Sequence, residues 1–332
     1  MKKFRIIHGV IIFVCFACQL KGQQLSQYSQ YLNNYFLVNS AAADIRNNVT
    51  SIFSYRLGTG SYSGTPKTLY LSAYAPINKP TPSQYMQSAM RVTDKLDSTA
   101  LLSSVLSNGN HIAGINLVTD QLGLFKKTAI HASYSYHLTL TKNIRLSASP
   151  KLGWVNLNLA DDLTVYEPDD QKFQEFIGRY EQLNMLDIGF GLWLYGDDFF
   201  FGYSIEQMVK GKAYQSIELI NGYEFRPHHY VLAGTKIPID HRWSITPNAF
   251  FRLVADTPMS FDISAKVEYG SRLWAALSYR KKTAMVFMIG TKINNELSFS
   301  YSFDQTINAT RTNQISAHEI GIQYQFFNNL HK

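Results

Sequence analysis

From about Val49 onward the chain repeats with period two rather than 3.6. Phe261, Ile263, Ala265, Val267 and Tyr269 alternate with Asp262, Ser264, Lys266 and Glu268. Leu297, Phe299, Tyr301 and Phe303 alternate with Glu296, Ser298, Ser300 and Ser302. Ile130, Ala132, Tyr134 and Tyr136 stand against His131, Ser133, Ser135 and His137. Such alternation predicts strands near 49–57, 68–77, 110–119, 125–140, 144–158, 184–195, 198–207, 229–239, 242–255, 259–270, 271–281, 284–293, 296–305 and 314–327. An even strand number suits a bacterial single-chain barrel with both ends on one side. The predicted fold is therefore all-β: a transmembrane antiparallel β-barrel of about 14 strands, with an N-terminal arm and one short helical insertion.

The links between strands differ in length. Thr141-Lys142-Asn143, Gly196-Asp197, Ile239-Asp240-His241, Gly270-Ser271 and Asn294-Asn295 are tight, whereas 159–183, 208–228 and 306–313 are long. Short periplasmic turns and longer outer loops are the habit of outer-membrane barrels. With a periplasmic C-terminus, parity places the tight turns inside and the long links outside. The segment 80–109 breaks this rule. Between Ser83 and Leu106, Met86, Met90, Leu96, Leu101 and Val105 lie at helical spacings without Pro or Gly. It reads as a surface helix, or else as a plug or docking element.

The first 22 residues have another character. Lys2, Lys3 and Arg5 precede an apolar run from Ile6 to Cys18, and Gly22 offers a cleavage point before Gln23. This is the layout of a secretory signal peptide; lipid attachment at Cys18 is the rival. Removing 1–22 takes away Lys2, Lys3, Arg5 and Lys21, so Lys+Arg falls from 31 to 27 against 24 acids, a net +3. That leaves no basic block for nucleic acid, and both cysteines depart with the leader. A charged fraction of 17% with 21 Tyr and 21 Phe departs from ordinary soluble composition. Mean hydropathy is −0.15 and no later run is long enough for a spanning helix.

The division that follows is signal peptide 1–22, arm 23–47, barrel 48–327 and tail 328–332. The arm is rich in Gln, Asn and Tyr, and cannot be a membrane strand, because its amides would meet hydrocarbon. It fits a polar lumen as a plug, or a protein surface as a docking segment.

No catalytic motif is present, and neither catalytic nor metal-binding residues are nominated; no cofactor is expected. The Gly58–Gly64 stretch lacks the lysine of a phosphate loop. His228 and His229 point to opposite faces of a strand, so they cannot share one ion. Asp161-Asp162, Asp169-Asp170 and Asp197-Asp198 lack calcium-loop spacing. The inward register instead collects a charge network: Arg145, Lys151, Lys236, Arg252, Lys266, Arg280 and Lys292 with Asp187, Asp262, Glu268, Asp304 and Glu319. Opposite signs nearly balance, as in a salt-bridged filling rather than a one-sign selectivity constriction. On the last strand Ile320, Ile322, Tyr324 and Phe326 form the lipid face, with Tyr324 and Phe326 as the aromatic assembly cue near the C-terminus.

Several segments share a further feature. Gln27-Tyr28-Ser29-Gln30-Tyr31, followed by Asn34, Asn39, Ala41 and Ala43, resembles the opening motif of the PorP/SprF family of type IX secretion outer-membrane proteins. Tyr35 and Ser40 replace its usual prolines, and Asp44 its glycine. Gly114–Gly123 with Val118 and Asp120, His229-Tyr230, Ala276–Arg280, Tyr301–Thr306 and His318-Glu319-Ile320 are similar to later family segments, in the same order. The resemblance implies a non-catalytic component that supports export or surface anchoring of large cargo such as adhesins, in secretion and gliding. It implies as partners the translocon, the periplasmic ring and motor proteins, and cargo C-terminal domains, in a Gram-negative outer membrane. A diffusive or substrate-specific porin would share the barrel features, and an outer-membrane lipid enzyme would need a nucleophile and base that the sequence does not supply.

Overall fold

A computed structural model describes residues 28–44, 48–59, 65–77, 110–123, 125–141, 143–159, 183–209, 226–255, 257–270, 272–307 and 316–327. The leader, the insertion at 80–109 and most of the long links 159–183 and 208–228 lie outside these residues. The strands are β1 (Asn48–Thr59), β2 (Lys67–Pro76), β3 (Asn110–Leu122), β4 (Phe125–Thr139), β5 (Arg145–Leu159), β6 (Leu183–Tyr195), β7 (Phe199–Glu206) and β8 (His228–Thr235). They continue with β9 (Ile237–Pro238), β10 (Trp243–Val254), β11 (Ser260–Tyr269), β12 (Leu273–Arg280), β13 (Ala284–Lys292), β14 (Leu297–Thr306) and β15 (Ser316–Phe327).

Neighbours in sequence pair antiparallel, and β15 returns to β1 from Asn48↔Phe327 to Thr59↔Ser316, which closes the sheet. The two-residue β9 extends β8 along β10 in the same register, through Ile245↔Ile237 beyond Asn248↔Gly234. The wall is thus a closed barrel of 14 strands, as the alternation predicts. Closure pairs each strand with a neighbour on both sides, the condition for a sheet in hydrocarbon, and the β4–β5 ladder is interrupted only at Pro150, which has no N–H to donate. Among the described residues no helix is long and apolar enough to cross a membrane.

Alternation decides the two faces. Phe53, Ile130, Leu152, Ile263, Phe287 and Ile320 point outward and are exposed, while Ser54, Ser149, Asp262, Ser302 and Glu319 point inward and are buried. Both ends of the wall, Asn48 and Phe327, lie at one rim, called proximal here. The proximal turns are closed by side chains that mimic a backbone turn. Asn294 Oδ1 accepts the Glu296 and Leu297 N–H groups at 2.9 and 2.6 Å, and Asp240 Oδ1 those of Arg242 and Trp243 at 2.6 and 2.8 Å. Two distal connections are tight as well, which corrects the expectation that tight turns gather at one rim. β3 passes to β4 through Gly123 at φ +58, and β12 to β13 through Lys282 at φ 55. Turn length sorts most of the links, and two hairpins at the far rim need no more than a local turn.

Candidate functional site: the occupied lumen

Residues 28–44 lie inside the barrel. Asn33, Asn34 and Asn39, strong turn formers, separate three short 3-10 turns at Ser29–Leu32, Tyr35–Leu37 and Ser40–Ala42. The segment adds no strand to the wall; it contacts the wall almost all the way round. Gln30 Nε2 donates to the Glu319 carbonyl at 2.9 Å, while Ser300 Oγ donates to Gln30 Oε1. Tyr31 meets Ser264 Oγ at 2.9 Å and Asn248 Oδ1 at 3.4 Å, and its ring packs 4.8 Å from Phe250. Asn34 Nδ2 donates to Ser72 Oγ at 3.0 Å. Asn39 Nδ2 donates to the carbonyls of Leu192 and Tyr203 at 2.9 and 3.2 Å, and its Oδ1 accepts the Ala41 N–H at 3.0 Å. Ser204 Oγ donates to the Val38 carbonyl at 2.6 Å, and Ser135 Oγ to that of Ser40 at 2.9 Å.

Apolar side chains fill the remaining space. Tyr31, Leu32 and Val38 share a buried cluster with Leu232, Phe250, Val286 and Met288. Phe36 packs with Tyr74 and Ile112, and Leu37 with Ile52, Tyr70 and Val118. Tyr35 lies against Trp193 and Phe200, with ring centroids 5.5 and 5.0 Å away. Burial pushes the Tyr31 and Tyr35 phenols well above their ordinary value, so both stay protonated and residues 28–43 carry no charge.

Of the motif residues read from the sequence, Ser29, Gln30, Tyr31, Asn34 and Asn39 are buried and Tyr28 is partly so, packing edge-on to Tyr70 at 5.9 Å. Gln27 lies outside the described residues. Asn39 explains its own position: a Cβ at Gly191 would clash with its side chain, and one at Gly202 would lie 3.1 Å from its Nδ2.

The inward charges do not form one network, as the sequence register implied, but three groups. The largest crosses from β10 to β1. Arg252 pairs with Asp262, Arg280 bridges Asp262 at 3.2 Å and Asp304 at 3.4 Å, and Arg56 pairs with Asp304 at 2.8 Å. Glu319 lies beside it, accepting from Ser54 Oγ at 2.8 Å, Tyr70 at 2.9 Å and the Ser29 N–H at 3.1 Å. Ser29 Oγ donates to Asp304, so this belt also holds the arm. Pairing and hydrogen bonding together are what make such buried charges tolerable.

A second group occupies the distal part of β4–β7. His131 Nε2 meets Asp187 at 2.9 Å, Asp187 also accepts the Gln207 N–H at 2.9 Å, and Lys151 pairs with Glu206. The third is at the proximal rim, where Glu268 takes Lys236 and Lys266 at 2.9 Å each. Arg145 faces Tyr195 across the β5–β6 ladder, and Lys292 is exposed at the end of β13. The sequence reading passed over Arg56, His131 and Glu206. The same alternation that selected Arg280 places Arg56 and His131 inward.

On the outer face Tyr324 donates to Glu296 at 2.8 Å and packs against Phe326, which is exposed. His228 is buried inside, whereas His229 faces out and meets the Tyr203 hydroxyl at 2.8 Å. Among the described residues no three His, Cys, Asp or Glu side chains gather to hold a metal. Residues 60–64, 160–170 and the tail 328–332 lie outside the described part.

A closed antiparallel barrel with an apolar outer band and a polar, salt-bridged interior defines an outer-membrane β-barrel protein. The family model of the type IX secretion system membrane protein PorP/SprF matches residues 20–324, and the chain belongs to that family. It is an outer-membrane protein of a Gram-negative bacterium, associated with that secretion system. No curated protein sequence matches the chain. Among solved structures it is similar to the Pseudomonas putida toluene transporter TodX, at 12% identity and TM-score 0.47, covering 93% of this chain and 96% of that one. It is similar also to Acinetobacter baumannii Omp33, at 9% identity and TM-score 0.44, covering 84% and 97%. A CymD monoaromatic hydrocarbon channel gives 9% identity and TM-score 0.47, covering 84% and 87%.

Proposed function

We propose that this barrel serves type IX secretion and gliding as a non-catalytic outer-membrane component whose lumen is closed by its own arm. In this reading it supports export or surface anchoring of large cargo such as adhesins, and it does not pass solutes. The proximal rim faces the periplasm, where the ring and motor proteins reach it, and the distal loops face the translocon and cargo C-terminal domains. The observation that carries the reading is the path of residues 28–44, which bond to strands from β2 round to β15 and bury Tyr31, Phe36 and Asn39 between them. An uncharged segment bonded to strands on every side of the lumen stands in the path a diffusing solute would take.

Deleting residues 24–44 tests it. The shortened barrel should insert, conduct ions in planar bilayers where the intact chain shows almost no conductance, and support less cargo secretion. An intact chain that conducts like an open porin overturns the closed-lumen reading. Unchanged secretion after deletion overturns the functional role of the arm. Cysteines placed at Asp169 and Gln215 should label on intact cells and one at Asn295 should not; the reverse would invert the orientation.

A further inference from the structure

The wall around the arm is shaped side chain by side chain. A Cβ at Gly321 would lie 2.6 Å from Gln30 Oε1, and one at Gly114 would enter the Phe36 ring. One at Gly191 would meet Asn39 and lie 3.2 Å from the Ala41 nitrogen. Glycine weakens a strand interior, and often marks close approach of a ligand or another backbone. Here it recurs opposite the arm on β3, β6 and β15. The polar contacts are equally local. Asn39 and Gln30 each donate to main-chain carbonyls of the wall. None of these bonds is a ladder of the kind that joins the strands to one another.

The arm brings no charge of its own to its surroundings, although Ser29 donates to Asp304 and Glu319. The arginine belt is satisfied largely by its own aspartates, through Arg252–Asp262–Arg280–Asp304–Arg56, and residues 28–43 bring no charge to it. An uncharged segment enters or leaves such a lumen without desolvating an ion of its own, which is the costly step for charged peptides. Only three positions lie between Asp44 and the start of β1 at the proximal rim, so the arm is tethered at the mouth through which it would withdraw.

We infer that the part of the lumen the arm occupies is a peptide-recognition site, which reads a Gln, an aromatic ring and an Asn at the spacing of Gln30, Phe36 and Asn39. The arm is its occupant in cis. A separate chain carrying an uncharged segment of that pattern is the partner it fits, entering from the periplasmic side when the arm withdraws. The inference rests on the closed-lumen reading above and extends it from closure to exchange.

The test uses the full chain with a protease site introduced between Asp44 and Asn48, folded with the arm in place and then cut. A fluorescent synthetic peptide of residues 28–44 is added to the cut barrel. It should exchange with the cut arm and saturate at one per barrel. Peptides carrying Asn39→Ala or Phe36→Ala should compete at least about tenfold less well, the scale of an unmade buried hydrogen bond or lost ring burial. Gly191→Val in the barrel should weaken capture to the same degree while heat-modifiability stays normal. Failure of the cut barrel to exchange the peptide overturns the inference, as does equal capture of a scrambled 28–44 peptide. Conductance of the cut barrel is recorded in parallel. A silent barrel that does not exchange overturns recognition and leaves closure standing, whereas one that conducts before cutting overturns closure itself.

Discussion

Along the path of the arm the wall meets a segment without charge; in the distal part of β4–β7 the wall meets itself. Around the arm the inward positions are mostly glycines, serines and apolar residues, among them Gly114, Gly191, Ser204, Val286 and Gly321, with Asp304 and Glu319 at Ser29. Farther out they are Lys151 with Glu206 and His131 with Asp187. The difference teaches how one barrel is made both stable and occupied. Wall-to-wall ion pairs fasten strands to one another, and their loss is a loss to the barrel. Sockets for neutral side chains fasten a tethered guest, and their loss falls first on the guest.

The sharpest way to break this comparison is to remove a charge from the belt. Arg280→Ala would leave Asp262 with Arg252 alone and Asp304 with Arg56 alone, one cation fewer for two buried carboxylates, which falls toward the lower end of the about 3–5 kcal/mol that removing one partner of a buried pair costs. The urea midpoint of the folded barrel in detergent should fall accordingly. A shift under about 1 kcal/mol would show that water enters the belt freely. Next comes the outer face as a control. Tyr324→Lys with Phe326→Lys puts charge on the lipid side, at up to about 2–4 kcal/mol near the midplane and less at the interface. The double variant should fail to accumulate as a heat-modifiable barrel.

Gly191→Val sharpens the other side of the comparison. The atoms nearest an added Cβ belong to Asn39 and Ala41 of the arm, so about 1–3 kcal/mol of overpacking is relieved by displacing the arm. Trypsin should then cut at Arg46 faster, with the barrel's melting unchanged. Smallest is Lys236→Ala at the rim. Its side chain is 49% exposed, and such pairs contribute about 0–1 kcal/mol. The melt of this variant should overlay that of the parent, and an effect as large as that of Arg280→Ala would erase the distinction between rim and interior.

Much of this was legible in the sequence for a single reason. A strand's side chains alternate strictly, so each inward residue from Thr50 to Gln323 follows from the period once one face is known to meet lipid. That rule placed Asp262, Arg280, Asp304 and Glu319 inside and Ile320, Ile322 and Phe326 outside. It also placed Arg56 inside, though nothing in composition draws attention to a single arginine in the first strand. Period two is silent, however, about which inward charges touch. Arg280 reaches two aspartates on different strands because register and stagger bring Asp262 and Asp304 to its level. Lys151, equally inward, finds Glu206 instead of the belt.

The arm marks the boundary most clearly. By itself the sequence determined that residues 23–47 could not be a membrane strand, because amides facing hydrocarbon find no partner, and that their rings needed burial somewhere. It favoured the lumen, where Gln and Asn can bridge inward residues of both signs, and kept a periplasmic protein surface as the alternative. Only the tertiary structure decided between them, because the deciding features are holes. Gly191 and Gly202 lie on two strands, with Asn39 far away in sequence; the space at Gly191 goes to Asn39 and that at Gly202 to the Trp193 ring beside it, and both exist only once β6 and β7 pair. A pattern records which side chains are present and which way they face. The volume left between facing walls depends on closure of the whole sheet, and it is that volume which the arm occupies.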